Sequence, residues 1–216
     1  WDSELDRALA FARDHLSVYQ LTLERGTRFW QDHARGLFML PDEDTQAALF
    51  EATQTRLAAA GLPAYEISNH ARPGGECRHN LAYWRYEDYV GVGPGAHGRL
   101  SLATGDDGAG KRATRQTSGP EAWLEQVETH GHATAEERLV LGDDLVIEAM
   151  MMGLRLAGGI DRAMFRRVTG VDPVAACDGD ALRRLAAGDF LVVDDRTLRA
   201  TASGRQRLNA VLARVL

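Results

Sequence analysis

Three short β-rich runs separated by helix-length segments constrain this chain most: residues 16–23, 64–68 and 89–92. The first holds Val18, Tyr19 and Thr22, and the helical segments flank it on both sides. Ser3 to His15 carries Leu5, Leu9 and Ala12 at helical spacing. Pro41-Asp42 opens a second helix with Asp42 as its N-cap; Leu49, Ala52, Leu57 and Ala60 line one face, and Gly61 stops it. Alternation of this kind predicts parallel βαβ units, so the three runs are expected to be parallel neighbours with one poorly covered edge. Three such strands make an incomplete sheet, because a parallel sheet needs both faces covered. The first strand is therefore expected to pair with one belonging to a longer protein.

The second half reads differently. Residues 104–119, with Gly105-Asp106-Asp107-Gly108-Ala109-Gly110, form a polar, turn-rich stretch expected to divide the chain. A short helix is expected at 120–130, and a long amphipathic one at 135–157 through Leu139, Ile147, Met150, Met151 and Leu154. Helices at 162–168 and 180–187 follow. Phe190-Leu191-Val192-Val193 and Leu198-Arg199-Ala200-Thr201 flank the turn Asp194-Asp195-Arg196-Thr197, which predicts a hairpin, and Thr201 or Ser203 caps a last helix. The order helices, hairpin, helix is that of a winged-helix-like module. The expected domains are 1–103, a linker with a short helix at 104–135, and 136–216.

Chemistry concentrates between the halves. Glu76-Cys77-Arg78-His79-Asn80-Leu81-Ala82-Tyr83-Trp84 runs into Gly91-Val92-Gly93-Pro94-Gly95-Ala96-His97-Gly98. An imidazole can ligate a metal, two large aromatics offer stacking surface, and alternating glycines let a backbone approach a flat ligand closely. The combination suggests a planar ligand with a metal at its centre.

His79-Asn80-Leu81-Ala82-Tyr83-Trp84 resembles the HNxxYW signature of the HemW haem chaperones, relatives of the oxygen-independent coproporphyrinogen III oxidases in the radical S-adenosylmethionine (SAM) superfamily. Residues 16–22, Tyr65-Glu66-Ile67-Ser68-Asn69 and Gly93-Pro94-Gly95-Ala96-His97 resemble the same family in the same order. The resemblance implies the C-terminal part of an incomplete (β/α) barrel followed by the winged-helix-like α+β module. It implies haem held by His79, Asn80, Tyr83 and Trp84, with His79 on the iron, and weak SAM contacts from Gln20 and Thr22. It also implies delivery of haem to respiratory haem proteins in the cytoplasm. The alternative within the same fold is a coproporphyrinogen III dehydrogenase.

One departure matters. The family's [4Fe–4S] cluster sits on a CxxxCxxC motif, whereas this chain has two cysteines, Cys77 and Cys177, a hundred positions apart. The chain alone is thus expected to hold no cluster and to cleave no SAM; both cofactors are expected in the intact protein only.

Other readings are weaker. Cys77, His79 and His70 lack the usual zinc spacing. His97 is a secondary ligand candidate, and the glycines do not form a dinucleotide fingerprint. Met150-Met151-Met152 fits helix packing better than iron ligation, and Cys177 reads as a small buried residue. A net charge of -6 argues against a nucleic-acid partner, as do the 12 acidic residues and 12 arginines between Glu136 and Leu216. No apolar run approaches the roughly 20 residues of a membrane span, and the first residues do not resemble a signal peptide. A homodimer, and an encounter with a membrane through the haem recipient, are both compatible with the chain.

Overall fold

The computed structural model describes residues 1–102 and 109–216. The Gly105-Asp106-Asp107-Gly108 segment expected to divide the chain lies outside the described residues. Two compact units emerge, Trp1–Cys77 and Arg78–Leu216.

In the first unit, α1 (Asp2–Phe11) and α3 (Glu43–Ala59) bury Leu5 and Leu57, each contributing about 1.5–3 kcal/mol by leaving water. Asp42 caps α3 as expected, accepting from Thr45 N at 2.7 Å. A short helix that the sequence did not announce, α2 (Arg28–Ala34), is capped by Thr27.

The strands correct the parallel expectation. β1 (His15–Ser17) and β2 (Asn69–Ala71) pair antiparallel, with Leu16 opposite His70. The run at 64–68 is chiefly a turn, with a lone antiparallel bridge from Ala64 to His70. Tyr65 N donates to Asn69 O at 3.1 Å, and the Glu66 carboxylate accepts from Ser68 N and Asn69 Nδ2, both at 2.7 Å. That buried carboxylate reverses the chain, so 69–71 runs back along β1. A β-rich composition had concealed a turn closed by a side chain.

In the second unit, residues 89–92 likewise form no strand. Tyr89 makes one antiparallel bridge to Arg99, and the chain then doubles back through Gly93 and Gly95, whose φ values are +101° and +70°. A Cβ on Gly91 would lie 2.5 Å from the His97 carbonyl oxygen, so only glycine fits. β3 (His97–Ser101), β4 (Gly110–Gln116) and β5 (Thr134–Leu141) form an antiparallel sheet in that order. β4 occupies part of the stretch read as polar linker, and β5 takes the start of the expected 135–157 helix. Cross-strand pairs Arg112–Glu137 and Arg115–Glu136 explain both differences. Local helix propensity around Glu136 yields to strand pairing with a partner about two dozen residues earlier. α5 (Pro120–His130) spans the residues expected, and α6 (Gly142–Gly153) keeps the remainder of the long helix, with Met150 fully buried.

The C-terminal pattern is close to its reading. β6 (Ile160–Asp161) precedes α7 (Arg162–Thr169) and α8 (Gly179–Ala187); the hairpin β7 (Leu191–Val193) and β8 (Thr197–Ala200) follows. β8 lies between β6 and β7. Thr201 caps α9 (Ala202–Gln206), and α10 (Leu208–Val215) closes the chain. Leu182, Leu191, Leu198, Leu208, Val211 and Val215 form the core of this module. Cys177 is half-buried, and burial, followed by Asp172, pushes its thiol up to about 11. The fold is mixed α/β, and no sheet of the described residues closes into a barrel.

Candidate functional site

His79, Asn80, Tyr83 and Trp84 all lie on α4 (Arg78–Trp84). Helical spacing separates them by face. His79 and Tyr83, four apart, share one face: their rings meet edge-on, 4.6 Å between centroids at 89°. Tyr83 in turn meets Tyr89 at 4.2 Å. The His79 imidazole is exposed, and its ring nitrogens hold no hydrogen-bond partner among the described residues. Asn80 is half-buried.

Trp84 turns away. The Arg155 guanidinium stands 4.4 Å from its ring centroid, and its indole N–H is buried with no acceptor among the described residues. The structure therefore joins His79 to Tyr83 and sets the half-buried Trp84 apart from them, against Arg155.

The helix ends in a locked turn. Tyr86 N donates to Tyr83 O at 2.9 Å and Glu87 N to Ala82 O at 2.8 Å, with Tyr86 between them at φ 56°. This is the bonding of a Schellman cap, whose left-handed position usually holds glycine. A tyrosine there costs about 1 kcal/mol, and its side chain shows what offsets the strain. Its hydroxyl donates to Glu148 Oε2 at 2.7 Å, and Lys111 Nζ lies 5.0 Å from the ring centroid. Lys111, the only lysine, is 1% exposed and donates to Asp88 Oδ1 at 2.6 Å. Glu148 also accepts from Arg99 Nε at 3.0 Å and Arg138 Nη2 at 2.8 Å.

Charge follows this wiring. Burial alone raises the Glu148 carboxyl, but hydrogen bonds from Arg99 and Tyr86 outweigh it and hold the group below its ordinary range. Burial and the Glu148 bond push the Tyr86 phenol upward, and burial does the same to Tyr89. α4 and the glycine loop after Tyr89 are thus fixed from beneath by a charged network that sequence reading missed. The lone lysine among 24 arginines was its one visible signal.

In the first unit the chain leaves β1 at Ser17, so Gln20 and Thr22 sit in irregular backbone and not at the end of a strand, as expected from alternation. Both are exposed. Gln20 Nε2 donates to Gln46 O at 2.9 Å, and the residue lines a cavity of about 280 Å3 with Leu21, Met39, Phe50 and His70. Thr22 does not line it. His15 Nε2 contacts Tyr65 Oη at 3.0 Å, and Ser17 Oγ donates to Asn69 Oδ1 at 2.5 Å. Burial lowers the His70 imidazole.

Among the described residues, no group of three or more His, Cys, Asp or Glu side chains could hold a metal ion. A haem iron would need one accessible imidazole, and the exposed His79 ring offers one. The cysteines do not fit a [4Fe–4S] cluster, which takes several thiolates. No helix of the described residues is long and apolar enough to cross a membrane.

Known proteins are similar to this chain. Residues 133–207 match the HemN C-terminal domain. Radical S-adenosyl methionine domain-containing protein 1, mitochondrial, of Danio rerio is 34% identical over the whole of this chain and 49% of its own length. Heme chaperone HemW of Escherichia coli strain K12 is 37% identical over 78% of this chain and 41% of its own. The structure titled coproporphyrinogen III oxidase (HemN) from Escherichia coli, a radical SAM enzyme, covers 98% of this chain and 50% of that one. Its TM-score is 0.69 at 18% identity, a likeness of fold. The chain spans about half the length of the relatives it matches.

Proposed function

We propose that this chain, a homologue of the HemW heme chaperones with a HemN C-terminal domain, carries the haem-ligating face of a haem chaperone. The observation behind this reading is the exposed His79 imidazole, free of hydrogen bonds and held edge-on to Tyr83 on a helix locked by Tyr86 and Glu148. In this reading His79 ligates iron, Tyr83 covers part of the macrocycle, and Trp84 anchors the helix from within. Asn80, the next residue along α4, borders the ligand.

Exposure suits delivery. A haem held by one imidazole on an open surface can be passed to an accepting protein without unfolding the donor, whereas a buried site would retain it. When bound, haem supplies the iron centre; the chain's own part is to present the imidazole and shield one ring edge. SAM and a [4Fe–4S] cluster belong, in this proposal, to the intact protein, with Gln20 and Thr22 contributing minor SAM contacts. The recipients are haem-accepting respiratory proteins.

The test is haem titration of the intact protein and of His79→Ala, followed by absorption. Loss or a strong shift of the Soret band is expected in the variant, with cluster and SAM binding unchanged. An unchanged spectrum would place the ligand elsewhere, with His97 and Cys77 next in line. Turnover of coproporphyrinogen III by the intact protein would favour the dehydrogenase instead.

A further inference from the structure

The Trp84 side of α4 opens on a cavity of about 440 Å3, within the range of small-molecule sites. Leu156, Ile160, Phe165 and Val168 give it apolar walls. Two of its donors meet no oxygen acceptor among the described residues. The Trp84 indole N–H is buried without an acceptor among the described residues, although a buried indole normally finds one. Arg167 is exposed and has no carboxylate partner among the described residues; its Nη2 donates to Met164 Sδ at 3.3 Å.

The lining carries two carboxylates, Glu87 and Asp161, beside two guanidinium groups, Arg85 and Arg167. Asp161 Oδ1 accepts from Met164 N at 2.7 Å as the cap of α7, and Glu87 lies 3.9 Å from Arg85. An apolar cleft with one guanidinium that holds no carboxylate among the described residues and one buried N–H without an acceptor matches an acceptor head group on a hydrocarbon chain. We propose that this cavity binds an amphipathic monocarboxylate, its hydrocarbon along Leu156, Ile160 and Phe165 and its carboxylate at Arg167. Arginine suits that head group because its planar fork matches a carboxylate. The site is separate from the His79 face and does not rest on the haem reading.

The test is calorimetric titration of the intact chain with decanoate below its micellar range, with 1-decanol as the uncharged control. One-to-one decanoate binding is expected, with decanol weaker by about tenfold or more. Arg167→Glu, a surface change, should weaken decanoate by a similar factor. Ala163→Trp, which fills the exposed mouth, should abolish binding while the melting temperature holds. Trp84→Phe should cost a few-fold, and His79→Ala should change nothing. Equal binding of decanol, undiminished binding in Arg167→Glu and Ala163→Trp, or no decanoate binding at millimolar concentration would each overturn the proposal.

Discussion

On one face of α4, His79 lies open to solvent with Tyr83 edge-on at 4.6 Å; on the other, Trp84 lies against Arg155 with its N–H buried. Seven residues thus carry a free imidazole and a structural anchor on different faces of one helix. The contrast shows how a short helix can present a reactive group without being loose. Its exposed side contributes little to folding, and its buried side and cap carry the packing.

The contrast breaks if both faces respond alike to substitution. The largest expected effect on stability is from Trp84→Ala, about 3 kcal/mol in denaturant unfolding, since truncating a large packed aromatic leaves a cavity. His79→Ala should stay within about 0.5 kcal/mol, as surface substitutions do. Comparable losses from the two would mean that the imidazole is structural.

The cap sharpens the comparison further. Tyr86→Phe removes only the hydroxyl that meets Glu148 and should cost about 1–2 kcal/mol, because a charged acceptor loses a bond. Tyr86→Gly relieves the left-handed strain yet loses the ring beneath Lys111, so it too should destabilise. A net gain from glycine would show that the ring contributes nothing.

Acidity probes the same network. The folded-state pKa of Glu148 is depressed, so its contribution is present above the unfolded value near 4.5 and is lost as pH falls through the lower folded value. The Tyr86 phenol is raised, so its contribution is complete below the unfolded value near 10.0 and is lost as pH rises through the folded one. Unfolding followed from pH 3 to 5 should flatten in Glu148→Gln; an unaltered slope would remove Glu148 from the acid response.

The smallest effect is expected on the exposed face. Tyr83→Ala should weaken haem binding by about 1 kcal/mol, roughly fivefold, without removing ligation. A complete loss of the Soret band in that variant would make Tyr83, and not His79, the decisive contact.

Local patterns were legible wherever a few neighbouring residues decide the outcome. The α3 cap at Asp42, the whole of α5, and the hairpin and helices after Ile160 follow from capping groups, periodicity and turn residues close in sequence. The signature residues were equally visible, because their chemistry is carried by residue type and spacing.

What distant partners decide was not legible. Whether 136–141 becomes strand or helix depends on β4, whether 69–71 becomes a strand depends on β1, and whether Trp84 joins His79 depends on which side of α4 is covered. By itself, the sequence determined the C-terminal hairpin, the helices before it and the caps at Asp42 and Thr201, since short-range hydrogen bonds and apolar spacing suffice for these. Only the tertiary structure decided the strand directions, the split of the aromatics between two faces and the burial of Lys111. Each of those turns on a pairing between residues about 10 to 70 apart in sequence, a contact that no local propensity encodes.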